Sequence, residues 1–151
     1  MGTNADLYAQ DFFAWTQTTA ALLRQGKWHE IDPESVAEEL ESLGKRDRRE
    51  LISRLEVLVM HLLKWCYQPE RREPSHSWSD TIWEQRRELA LLLDDSPSLR
   101  RQVSLVLQRR YPSARHKALD ETGLPESALP QECPWTAEQI LDDGFWPARV
   151  P

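Results

Sequence analysis

Glu39 and His61 are the side chains of this 151-residue chain best placed for acid–base or metal chemistry. A carboxylate and an imidazole that meet between packed helices can hold a metal ion or pass a proton. On a helical wheel Val36, Leu40 and Leu43 form the buried stripe of a short helix, and Glu34, Glu38, Glu41 and Lys45 turn to solvent. Glu39 differs from those acids, because it falls about 40° from Leu43, at the edge of the core face. His61 lies at the edge of the apolar stripe of the next helix, on the side of Glu50, Arg54 and Trp65. The spacing permits only a weak form of the metal reading. Di-iron bundles draw on two Glu-x-x-His pairs carried by helices. The one such spacing here is Glu73-x-x-His76, interrupted by Pro74. No H-E-x-x-H occurs, and His29, His61, His76 and His116 are scattered. A structural hydrogen bond at Glu39 and His61 therefore ranks above a catalytic or metal role, and no cofactor is expected.

Arginine is the second possibility. The chain holds 15 Arg and 4 Lys, with Arg paired at 48/49, 71/72, 86/87, 100/101 and 109/110. A guanidinium holds planar carboxylates and phosphates in bidentate fashion, so Arg46, Arg48, Arg49, Arg71 and Arg72 are the candidates for an anion or a partner surface. Against a nucleic-acid face stands the sequence pI near 5.3, since phosphate binding depends on releasing many counterions. There is no helix-turn-helix or RNA-binding signature either. Nucleophilic catalysis has less behind it: no G-x-S-x-G, phosphate loop or dinucleotide fingerprint is present. Cys66 sits in an apolar helix, where a thiol acts as a small hydrophobe, and Cys133 precedes a proline.

The net charge of −6 is unevenly spread. Residues 1–44 carry 2 basic and 8 acidic side chains, residues 45–117 carry 16 and 10, and residues 118–151 carry 1 and 7. A basic middle thus lies between two acidic arms, and either they neutralise it or it faces an anionic partner. Two cysteines without a C-x-x-C, no signal-peptide pattern, no myristoylation signal and no long apolar run together predict a cytoplasmic protein with no membrane association.

The elements that position these residues read as helices. Apolar spacing predicts one helix over 6–25, stopped by Gly26. Asp32, Pro33 and Glu34 start a short second helix that ends near Leu43 and Gly44. The third, over 45–67, is the main one: Leu51, Leu55, Leu58, Leu62 and Cys66 form its stripe, and Pro69 stops it. Ser77 with Asp80 reads as a capping box for a fourth helix, and Ser96-Pro97 restarts a fifth with a kink at Pro112 and a stop at Gly123. The tail, 123–151, holds five prolines and one short helix begun by Thr136 and Gln139. Seven tryptophans, most of them at element ends, suit the pinning of loops onto a bundle. The expectation is an all-α, single-domain bundle of about five helices, with a core over 6–122 and a wrapping Trp- and Pro-rich tail over 123–151.

YAQDFFAWTQTTAALLRQG, EELESLG, LEVLVMHLLKWCYQPERR, DSPSLR, ETGLP and ECPWTAEQILDDGFWP together resemble a bacterial family known as domain of unknown function number 29, common in cyanobacteria and proteobacteria. The resemblance spans residues 7–147. It implies an all-helical fold and brings no activity, cofactor or partner. The functional expectation is a protein–protein interaction or regulatory module, with another protein or a second copy as partner. An enzyme or metal-binding bundle using Glu39 and His61 comes next, and nucleic-acid binding through the arginines third.

Overall fold

A computed structural model describes residues 2–72 and 77–148, so the Glu73-x-x-His76 spacing lies outside the described residues. Those residues form six α-helices and no strand, as the periodicity predicts. They are α1 (Asn4–Gln10), α2 (Phe12–Arg24), α3 (Pro33–Tyr67), α4 (Ser77–Asp95), α5 (Arg100–Thr122) and α6 (Ala137–Leu141). The chain divides into two compact units, Met1–Arg46 and Asp47–Pro151, with the boundary inside α3.

In the first unit, the single helix expected over 6–25 is two. Thr3 and Asp6 form a capping box that starts α1. Asp11 then leaves helical geometry, ending α1 and accepting from the Ala14 N–H at 3.1 Å to start α2. The unbroken apolar spacing hid this, because the break needs only one short acidic side chain in an N-cap role. Asn4 ties the pieces together. Its Nδ2 donates to the Thr19 hydroxyl at 2.9 Å, and its Oδ1 accepts from the Trp15 indole at 3.2 Å and from the Asp32 N–H at 3.0 Å. Gly26, at φ 70°, closes α2 with the reverse-turn bonding that a left-handed residue allows.

α3 starts at Pro33 as expected, but it does not stop at Gly44. Glycine inside a helix costs about 1 kcal/mol relative to alanine, which the 35 residues of this helix absorb. Nor do Leu40 and Leu43 form a buried stripe with Val36: Leu40 is 63% exposed and Leu43 52%. The side of α3 engaged within this unit is polar, with Ser35 buried and Glu39 half-buried one turn further on.

The second unit holds the main core. Leu51, Leu55, Leu58, Leu62 and Cys66 are all buried, together with Ile82, Leu89 and Leu93 of α4 and Val103, Val106, Leu107, Ala114 and Ala118 of α5. α5 passes through Pro112 and ends at Gly123, at φ 69°. α4 begins at Ser77 itself, so Ser77 is its first helical residue, and the residues just before it lie outside the described ones. The tail starts α6 with the expected Thr136–Gln139 capping box and sends Leu129 and Ile140 into the core.

Three side chains hold that tail by its backbone. Arg115 donates to the carbonyls of Glu126, Leu129 and Pro130, the Tyr111 hydroxyl donates to Pro130 at 2.6 Å, and Arg86 donates to Ile140 at 2.8 Å and Phe145 at 2.7 Å. Chemistry explains the choice of residue. Each proline brings a carbonyl without an N–H, so a proline-rich tail has surplus acceptors, and a guanidinium has five donors to offer. Tryptophan pinning is also present: Trp146 packs on Trp65 at 4.8 Å and on the Arg86 guanidinium at 5.5 Å. Trp28 and Trp83 do not take part in it, and both are more than half exposed.

Candidate functional site

Glu39 and His61 fall in different units, and each finds partners within its own. In the first unit the Tyr8 hydroxyl donates to Glu39 Oε1 at 2.5 Å. The Tyr8 ring packs against Trp15 at 4.7 Å and Phe12 at 6.1 Å. The hydrogen bond to Glu39 pushes the Tyr8 phenol up to about 12, with help from burial and from the negative charges of Glu39 and Glu38. In a ¹³C NMR titration Tyr8 should thus ionise well above a free tyrosine, and Glu39→Gln should return it toward the ordinary value of 10. A Tyr8 titration unmoved by that substitution would show that the contact does not hold the proton.

Around this polar centre the unit keeps its apolar residues outside. Among its described residues Trp15 is the one buried apolar side chain, whereas Phe12, Phe13, Leu23, Trp28, Leu40 and Leu43 are exposed, Phe13 at 74%. The Phe12–Tyr8–Glu39 chain of contacts links α2 to the turn of α3 that carries Leu40 and Leu43. Acids accompany them: Asp11 adjoins Phe12, and exposed Glu38 and Glu41 flank Leu40.

In the second unit His61 keeps company with Lys64 and Glu121. Its Nδ1 donates to the Val57 carbonyl at 2.8 Å, which places the proton on Nδ1 and leaves Nε2 as an acceptor. Lys64 is only 5% exposed, paired with Glu121 at 2.5 Å and set over the Trp78 ring at 5.2 Å. Burial lowers the His61 pKa from its ordinary 6.5; the Lys64 charge adds to this, while the Val57 carbonyl and Glu121 oppose it. A histidine whose folded value is depressed gives its full stability above about pH 6.5 and loses it as pH falls through the lowered value. The wild type should therefore lose melting temperature between about pH 7 and 5 more steeply than His61→Gln. Parallel curves would contradict this.

The five arginine candidates do not act alike. Arg46 belongs to the first unit and Arg48, Arg49, Arg71 and Arg72 to the second. Arg48 donates to Gln102 at 3.1 Å. Arg72 is turned inward, donating to the Trp65 carbonyl at 2.7 Å and stacking on its ring at 4.5 Å. Arg46, Arg49 and Arg71 are exposed, and Arg49 lines a shallow basic hollow with Arg110, Lys117 and Glu56. Among the described residues no group of three or more His, Cys, Asp or Glu is arranged to hold a metal ion.

Arg86, Arg115, Tyr8 and Asn4 escape a reading of the sequence. Arg86 had a usable signal: Ile82, Arg86, Leu89 and Leu93 stand at i, i+4, i+7 and i+11, so Arg86 occupies a core position of α4. The adjoining Arg87 disguised it as one of a surface pair. Tyr8 and Asn4 had no such signal, since their partners lie 31 and up to 28 residues away in sequence.

These features define an all-helical protein with a polar-centred N-terminal unit and a C-terminal bundle whose tail is held by arginine. The family model described as domain of unknown function DUF29 matches residues 7–146, and the chain belongs to that family. No curated protein and no solved structure matches it. No helix among the described residues is long and apolar enough to cross a membrane.

Proposed function

We propose that the protein is an interaction module whose first unit docks a basic amphipathic helix of a partner protein. The observation that carries this is the reversal of burial in that unit, where Trp15 is covered while six large apolar residues, among them Phe13 and Leu40, stand in solvent. An exposed apolar surface rimmed by charge is characteristic of an interaction site. Charge supports the choice of partner. Residues 1–46 hold 4 basic and 8 acidic side chains, a formal −4. Two copies of such a surface repel each other, whereas a cationic helix is attracted to it and steered by it. Leu40 and Leu43, at i and i+3 with exposed Glu38 and Glu41 flanking Leu40, match the anchor spacing by which helices recognise helices. The other readings find less support, because the Glu39 carboxylate is engaged by Tyr8 and the His61 Nδ1 by its own helix.

A fluorescent Leu/Lys peptide designed as an amphipathic helix provides the test, alongside a scrambled peptide of equal composition. Saturable binding of the first and weaker binding of the second, both falling with salt, is the expected pattern. Equal binding of the two peptides would reduce the interaction to bulk charge. A concentration-dependent dimer would instead make the second copy the occupant and overturn the choice of partner.

A further inference from the structure

The tail and α5 enclose a cleft of about 600 Å³ that plays no part in the docking surface of the first unit. That size falls within the range of small-ligand sites. Leu107, Pro112 and Trp135 give it apolar walls, and Glu132 and Glu138 give it two carboxylates. No Lys, Arg or His lines it, and among the described residues neither carboxylate forms an ion pair. Arg115, one turn beyond Tyr111 on α5, is committed to three tail carbonyls.

Several polar groups of the lining have already given their protons to the tail. The Tyr111 hydroxyl has spent its proton on Pro130, and the Cys133 thiol has spent its own on the Trp135 carbonyl at 3.4 Å. Thr136 is occupied by its cap. Pro112 has no N–H, so the Gln108 carbonyl lacks its helical donor, and both residues line the cleft. Donors remain as well: the Trp135 indole N–H, the main-chain N–H groups of Ala137 and Glu138 in the first turn of α6, the Ser104 hydroxyl and the carboxamides of Gln108 and Gln131, the last three also able to accept. Two carboxylates outside any ion pair among the described residues, an indole wall and no basic side chain in the lining suit a ligand that supplies positive charge and an apolar stem. We infer that the cleft binds an organic cation, an alkylammonium or guanidinium on an aliphatic stem, with the stem against Trp135 and the charge between Glu132 and Glu138. An indole face next to carboxylates suits such a cation better than a bare metal ion, which gains nothing from the apolar wall.

The test is an NMR titration of the full chain, following the Trp135 indole N–H. Putrescine represents a free amine, a doubly blocked lysine amide represents a peptide-borne side chain, and Mg²⁺ is the compact dication control. The expected result is a saturable Trp135 shift with one or both amines and none with Mg²⁺; whichever amine binds more tightly identifies the source. Glu132→Gln/Glu138→Gln, both at exposed positions, should weaken amine binding by about tenfold or more while the remaining spectrum stays in place. No saturable shift with either amine, an equal response to Mg²⁺, or undiminished binding by the double variant would each overturn the inference.

Discussion

Replacing Arg86 with alanine is expected to destabilise the second unit by about 3 kcal/mol and to free the tail that α4 holds. Arg86 is 2% exposed, and its guanidinium gives two hydrogen bonds to main-chain carbonyls, at Ile140 and Phe145. Deleting it strands both acceptors, at roughly 1–3 kcal/mol each. It also removes the aliphatic stem and the stacking on Trp146, whose ring lies 5.5 Å from the guanidinium carbon. One effect works the other way. Arg86 has a buried Nη1 without a hydrogen-bond partner among the described residues, and burial lowers its pKa while Asp143 and Asp142 pull it back. Relief of that desolvation offsets part of the loss, which is why the expected figure lies well below the sum of the separate contributions. Lysine should rescue little, because one ammonium cannot reproduce a planar fork that spans two carbonyls. Urea denaturation gives the magnitude, and amide exchange over residues 137–147 shows whether the tail is what opens. Unchanged exchange there would mean that Trp146 and Ile140 hold the tail unaided.

The other large effect is expected at the first unit. Phe13→Ser combined with Leu40→Ser should weaken binding of the amphipathic Leu/Lys peptide by about thirtyfold to a hundredfold, consistent with the roughly 2 kcal/mol or more typical of central apolar anchors. Both side chains are more than half exposed, so the melting temperature should hold or rise slightly. This pairing of outcomes separates an interaction surface from a core. A fall in stability comparable to the fall in affinity would show that Phe13 and Leu40 support the fold. Removing charge instead, through Glu38→Gln/Glu41→Gln, should slow association and flatten its salt dependence while leaving the apolar contact in place.

The residues explain which parts of this structure a sequence discloses. The stripe from Leu51 to Cys66 is legible because periodicity is a local property, and all five of its members are buried. Gly26, Gly123 and the Thr136–Gln139 box are legible for the same reason, each being a short-range rule of backbone geometry. Gly44 misleads because a helix stop and a tolerated helical glycine look alike until the neighbouring turns are seen to be helical on both sides. Leu40 and Leu43 mislead for a different reason. Amphipathic spacing shows that a face is apolar and says nothing of what covers it, and here the polar Ser35–Glu39 side is the one engaged within the unit. Arg86 and Arg115 belong to a third group, whose partners are backbone carbonyls. A carbonyl has no letter in the sequence, so neither charge counting nor pairing rules point to it.

Amide hydrogen exchange of the full chain, with and without the saturating amphipathic Leu/Lys peptide, tests the central claim most directly. The account predicts slowed exchange in α1, α2 and residues 33–46, with α4, α5 and the tail unchanged. Protection confined to residues 47–148, or none at a concentration where the peptide is bound, would contradict it.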